Sequence, residues 1–178
     1  MSVTTDSRDR VRRVRSRLGE TDDFRCVEVS WDVTAATYER ERERFERRAL
    51  GGAGVWLTRD DGAVLLARNE GDVGWANPGG KREAGETYAE AAKREVREET
   101  GVDCRLTGIR EFHEVEHHPP DDSPPIVEAI VIFDGEYVDG TPRARPGEIA
   151  AVEWFTAPPE RVAYEQVRTR PYPADSES

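Results

Sequence analysis

Glu95, Glu98 and Glu99 follow one another at helical spacing. An α-helix turning about 100° per residue gathers all three carboxylates into one arc of about 100°. Ala92 and Val96, with Ala89, continue round from Glu99 as a buried stripe, while Glu90, Lys93 and Arg97 take the opposite, solvated side. Three carboxylates crowded beside a buried stripe repel one another unless a cation lies among them. Donors that are all oxygen suit a hard divalent ion, magnesium or manganese, which keeps several waters and shares its remaining positions with phosphate oxygens. Taken alone, the three glutamates leave a second reading equally open, a glutamate-rich helix face that is merely solvated.

Thr87 suits the N-cap of this helix and Gly101 the left-handed residue that ends it, so a helix is expected over 87–100. Residues 74–80, Gly-Trp-Ala-Asn-Pro-Gly-Gly, cannot hold a helix and read as a loop or short strand delivering the chain to it. Further upstream, the apolar runs 53–58 and 63–68 flank Asp60-Asp61-Gly62, a hairpin signal. Downstream, strands are expected over 102–116, 126–133 and 149–155, with a rigid polar loop at 117–125 and a short helix at 158–164. The main domain therefore covers 51–165, and 166–178 reads as a disordered tail. Residues 1–50 read as an extension: a helix with Val11, Val14 and Leu18 in its apolar stripe, a strand over 26–33, and a second helix over 37–50. The Glu/Arg alternation of that second helix is by default a solvated face laced with ion pairs; a role in homodimerisation or substrate capping is the alternative.

The chain has 178 residues, enough for one domain and an extension, and its net charge of −11 repels nucleic acid and anionic membrane. An anionic substrate therefore needs a local cation. Only Lys81 and Lys93 accompany the arginines, and an acidic surplus with so little lysine suggests a halophilic protein. Two cysteines, Cys26 and Cys104, make no disulfide framework and are expected as buried free thiols. With no apolar run of membrane-spanning length and no signal-peptide pattern, a cytoplasmic location is expected.

The stretch from Gly80 to Val102 resembles the Nudix box. Gly80, Glu86, Arg94-Glu95-Val96, Glu98-Glu99 and Gly101-Val102 match every specified position. The likeness extends to Trp75 and Pro78-Gly79-Gly80 just before it. The resemblance implies an α/β fold (α+β), a sandwich of helices on a mixed central sheet. It also implies hydrolysis of a nucleoside diphosphate linked to another moiety, ADP-ribose-like or a nucleoside triphosphate, with Mg2+ or Mn2+ as cofactor. By position, Glu95, Glu98 and Glu99 become metal ligands and catalytic groups, with Glu98 foremost, and Gly79 lends its carbonyl to a metal. Arg94 pairs with Glu86 and orients the set. The proton acceptor is Glu99 or, outside the box, Glu148 or Glu128.

Trp75, Arg110 and Glu148 are the candidate substrate-binding residues, with Arg143 and Arg145 as further candidates for a terminal phosphate. His113, His117 and His118 read as surface or substrate-edge histidines. Asn77 departs from the apolar residue that often precedes the family's proline, and Pro119 and Pro120 lie near a position that marks the ADP-ribose-cleaving branch. Two alternatives remain beside the hydrolase. One is a nucleotide-sensing domain, and the other an isoprenoid-diphosphate isomerase, against which the main domain has no cysteine upstream of the box.

Overall fold

The structure is a computed structural model, and it describes residues 2–173. Its elements run α1 (Val3–Leu18), β1 (Arg25–Asp32), α2 (Ala35–Glu46), β2 (Gly52–Thr58), β3 (Val64–Asn69), β4 (Gly79–Lys81), α3 (Tyr88–Thr100), β5 (Asp103–His118), β6 (Ile126–Asp139), β7 (Ile149–Phe155) and α4 (Glu165–Thr169). The strands form one mixed sheet in the order β1-β5-β6-β2-β3-β7, with β4 pairing on β2. β1 with β5 and β2 with β6 are parallel, and the other pairs are antiparallel. Among the described residues no helix is long and apolar enough to cross a membrane.

β2 is buried along almost its whole length, as expected of a strand covered on both faces. Successive side chains point to opposite sides. Ala53, Val55 and Leu57 pack with Val127, Ala129 and Val131 of β6, under Ala91, Ala92 and Val96 of α3 and Val11 of α1. Trp56 faces the other way, into a smaller core with Val64, Leu66, Val167 and Tyr172. The result is an α/β sandwich with helices on both faces, as the resemblance implied.

Residues 1–50 form the helix, strand and second helix expected of them, and β1 adds a parallel edge strand to β5 while α1 joins the main core. Three expectations need correcting. The segment expected as a tail from 166 forms α4 and buries Val167, Arg170 and Tyr172, while residues 174–178 lie outside those described. No helix forms over 158–164; the short helix begins at Glu165 instead. The thiols differ as well: Cys26 is exposed on the edge strand, and Cys104 is half-buried, its pKa pushed up to about 11 by burial.

Arg170 fixes the C-terminal segment by charge. Its guanidinium, 3% exposed, reaches both oxygens of Glu111, Nη2 to Oε2 at 2.7 Å and Nε to Oε1 at 3.1 Å. Burial alone would raise Glu111, but hydrogen bonds from His113 and Arg170 outweigh it and hold the carboxyl at about 2. A carboxylate depressed in this way adds stability that is complete above its ordinary value near 4.5 and is lost as pH falls through about 2. Arg170→Met strands a buried carboxylate and is expected to destabilise the fold by about 3–5 kcal/mol in urea at pH 7. Between pH 4.5 and 2 the variant should lose stability less steeply than the parent. Equal acid slopes for the two would show that the pair does not control this step.

Candidate active site

Helix α3 carries the acidic arc in a fixed rotational setting. The Thr87 side chain accepts from the backbone N–H of Glu90, whose carboxylate accepts in return from the N–H of Thr87 at 2.8 Å. At the other end Gly101 sits at φ 70°, and its N–H caps the carbonyl of Arg97. With Ala91, Ala92 and Val96 held in the core, Glu95 and Glu99 are turned inward and buried one turn apart, and Glu98 stays at the surface.

Two glycines make that burial sterically feasible. A Cβ on Gly79 would lie 2.5 Å from the carbonyl oxygen of Ala53, and one on Gly80 would lie 2.6 Å from the carboxylate of Glu95. The main chain of β4 thus runs flush against β2 on one side and leaves room for Glu95 on the other. The backbone N–H of Gly79 donates to Glu99 Oε2 at 3.0 Å.

Arg94 holds the rest of the arc together. Its Nε and Nη2 meet the two oxygens of Glu86 at 2.7 and 3.0 Å, and its Nη1 meets Glu95 at 2.7 Å and Glu98 at 3.3 Å. The Arg94 bond is the main cause that lowers the Glu86 pKa, and Glu86 in turn raises that of Arg94. On the outer side, Arg145 joins Glu98 at 3.2 Å to Glu148 at 3.1 Å. Burial raises Glu95 against the opposing pull of Arg94, with Glu98 and Glu148 adding to the rise. Burial also pushes Glu99 up to about 8; the Gly79 N–H opposes this, and the charges of Glu95 and Glu148 reinforce it.

Buried, mutually repelling carboxylates fit a divalent cation by chemistry and charge. Among the described residues, however, no three such side chains converge as a ready-made metal cluster. Glu95 and Glu98 are instead engaged by Arg94, and Glu98 by Arg145 as well.

A cleft of about 890 Å3 opens beside the arc, with Glu99, Gly79, Gly80 and Lys81 at one side. β1 contributes Trp31, whose ring is 44% exposed and stands edge-on to His117 at 5.5 Å. Ile130 and Ile132 of β6 line the cleft between them, with Glu128, His113, Asn77 and Tyr164 beyond.

Other expected residues fall elsewhere. Trp75 packs on Phe155 at 4.8 Å, outside the lining. Arg110 pairs with Asp134 at 2.6 Å in separate hollows. Glu148 belongs to the arc through Arg145, and Arg143 lies against Gly101. His113 and His117 are buried, not at the surface, each with Nε2 2.7 Å from a glutamate, Glu111 and Glu128 respectively, and His113 does lie at the edge of the cleft. His118 lies at the end of β5, 3.3 Å from Glu116, and Pro119 and Pro120 do not line the cleft.

Sequence reasoning missed the charged floor. Asn77 Oδ1 accepts from Arg170 Nη1 at 2.8 Å and from the hydroxyl of Tyr164, so the polar residue before Pro78 is satisfied by the segment expected to be disordered. Nor did the sequence single out Trp31 from Trp56, Trp75 and Trp154, each able to stack on a base but more readily read as core or rim packing. The one available signal there was an aromatic residue late in a strand whose other residues alternate.

The match to known proteins agrees with this geometry. The family model of the NUDIX domain matches residues 49–172, and the chain belongs to the Nudix family. It is 36% identical over 77 residues to nucleoside diphosphate-linked moiety X motif 6 of Xenopus laevis, covering 42% of this chain and 36% of that one. It is 49% identical over 49 residues to an RNA pyrophosphohydrolase of Halorhodospira halophila, covering 28% and 27%. It is 45% identical over 58 residues to a nucleoside triphosphatase NudI of Escherichia coli, covering 30% and 41%. The matched segments thus span well under half the length of these relatives. Among solved structures, a UDP-X diphosphatase is 22% identical with a TM-score of 0.51, covering 68% of this chain and 57% of that one. A Nudix hydrolase from Nitrosomonas europaea is 19% identical at the same TM-score, covering 68% and 66%. At these identities the two share the fold.

Glu99 supplies a test of the arc. Because its folded pKa is raised, the neutral acid is favoured in the fold, so stability is full below about 4.5 and declines as pH rises toward 8. Glu99→Gln keeps an acceptor for the Gly79 N–H without the charge. In EDTA the variant is expected to match the parent at pH 4.5 and to exceed it by on the order of 2 kcal/mol at pH 8.5, measured by urea unfolding. A parent as stable as the variant at pH 8.5 would mean that Glu99 bears no such penalty.

Proposed function

We propose that this protein is a divalent-metal-dependent Nudix pyrophosphohydrolase that splits the diphosphate linkage of a nucleoside diphosphate joined to another moiety. The observation that carries this reading is the pair of buried carboxylates, Glu95 and Glu99, of which Glu99 lines a cleft of about 890 Å3, with Glu98 in the same arc. The names of the curated relatives, which refer to nucleoside diphosphate-linked, RNA pyrophosphate and nucleoside triphosphate chemistry, support it.

Glu95, Glu98 and Glu99 would hold magnesium or manganese, which supplies neutralisation of the diphosphate charge and a more acidic water when bound. Arg94, anchored by Glu86, orients Glu95 and Glu98. Water adds to one phosphorus, the bridging P–O bond breaks, and the second phosphate leaves with the electron pair. The water's proton passes to a carboxylate: Glu99, Glu128 in the cleft, or Glu148 on Arg145. Lys81, whose ammonium pairs with the buried Glu41, lines the cleft as a cation near an anionic substrate. Trp31 offers a stacking face for the nucleobase. Neither cysteine lines the cleft, which weighs against the isomerase alternative.

Purified protein with Mg2+ or Mn2+ should release phosphate-containing products from part of a panel of nucleoside diphosphate derivatives and nucleoside triphosphates. EDTA should abolish turnover, Glu98→Gln should lower kcat by at least about a hundredfold, and Arg94→Ala should cost about 10–100-fold. Trp31→Ala should raise KM with little change in kcat. Tight binding of a panel member without cleavage would favour the sensing alternative, and conversion without cleavage the isomerase.

A further inference from the structure

A second hollow, of about 380 Å3, lies mainly on the other face of β6 from the cleft, the two meeting only at Glu128, where the N-terminal helices join the body of the fold. Four arginines line it: Arg10 and Arg13 from α1, Arg48 just after α2, and Arg82 from the chain entering α3. The chain as a whole carries 37 acidic residues against 26 basic ones, and its other arginines are widely engaged in ion pairs. Among the described residues none of these four forms one. Arg10 and Arg82 donate to main-chain carbonyls instead, Arg10 to Phe45 at 2.8 Å and Arg82 to Arg48 and Glu86, each at 2.8 Å. The carboxylate in the lining, Glu128, is taken by His117.

Three further observations point to a missing anion. Burial and then the charges of Arg48 and Arg13 lower the pKa of Arg10, with Asp6 opposing, so these two arginines lie close enough to repel Arg10. Arg82 Nε is buried without a partner. Arg48 is held at φ 58°, in the left-handed region that a residue with a long side chain rarely adopts, and such strain is common at binding sites.

The rings of Phe45 and Tyr88 are already covered, by Arg10 at 3.9 Å and Arg82 at 5.3 Å. Little stacking surface is left, so the matching ligand is dense in charge rather than aromatic. Guanidinium forks bind phosphate oxygens in pairs, and four of them call for several negative charges close together.

We propose that Arg10, Arg13, Arg48 and Arg82 form a metal-independent binding site for an oligophosphate group, separate from the cleft beside α3. Its occupant ties α1 and the end of α2 to the chain entering α3. Inorganic triphosphate is the probe, added to the full chain in EDTA at low salt and read by calorimetry and by the rise in Tm. The parent protein should bind it and gain in Tm, and sodium chloride of equal ionic strength should give no comparable gain. The double variant Arg13→Gln/Arg48→Asn should bind at least about tenfold more weakly. Both side chains are exposed, and asparagine tolerates the left-handed backbone, so this variant's Tm without the anion should be no lower than the parent's. Glu98→Gln should bind as the parent does. The proposal is overturned if the parent fails to bind, if the double variant binds equally, or if Glu98→Gln abolishes binding. None of these outcomes bears on whether the cleft hydrolyses diphosphates.

Discussion

Two carboxylates buried side by side on one helix are the constraint around which this fold is arranged. An isolated charge taken out of water costs far more than one helix can recover, so Glu95 and Glu99 persist only where their surroundings compensate. The surroundings do so in three ways. A guanidinium braced by Glu86 sits on Glu95, a backbone N–H from Gly79 meets Glu99, and two residues without side chains bring the main chain of β4 close enough for both. The compensation is incomplete: burial still pushes the Glu99 pKa up to about 8.

A second polar group beside the cleft solves a similar problem with different residues. Arg170 and Glu111 form an ion pair buried deeply enough to fix its neighbours, and Asn77 and Tyr164 are hydrogen-bonded to the same guanidinium. Between these two polar constructions lie Ile130, Ile132 and the ring of Trp31. The cleft is therefore apolar in the middle and charged where phosphate or a polar edge would be held. Segment 1–50 participates in this architecture, supplying Trp31 to the cleft and part of the arginine-lined hollow behind it.

The sequence was most legible where one element's local pattern decides the outcome. Helix α3 could be placed from Thr87, Gly101 and the Ala/Val stripe, and the Arg94–Glu86 pair followed from the motif's resemblance to a known family. The strands of the main domain showed in their apolar runs. What could not be seen depended on pairing between distant residues. Nothing local distinguishes Arg170 from an arginine in a frayed end, because its burial comes from a glutamate 59 positions away. The histidines had the same character: His113 and His117 read as polar and superficial until their glutamates came alongside in the sheet. Trp75, beside the motif, proved to pack on Phe155, whereas Trp31, outside any motif, reached the cleft. The parallel pairing of β1 with β5, which brings it there, joins strands far apart in the chain.

The link between Arg170 and Asn77 also bears on synthesis. These residues are 93 positions apart, a distance that translation covers in roughly 5–20 s at 5–20 residues per second. Through that interval Asn77, and over its last 59 positions Glu111 too, wait without the cation that completes them. A half-made domain can thus present its acidic helix while this second polar group is still unlatched, and a ribosome stalled before codon 170 would display an open, hydrated version of this pocket.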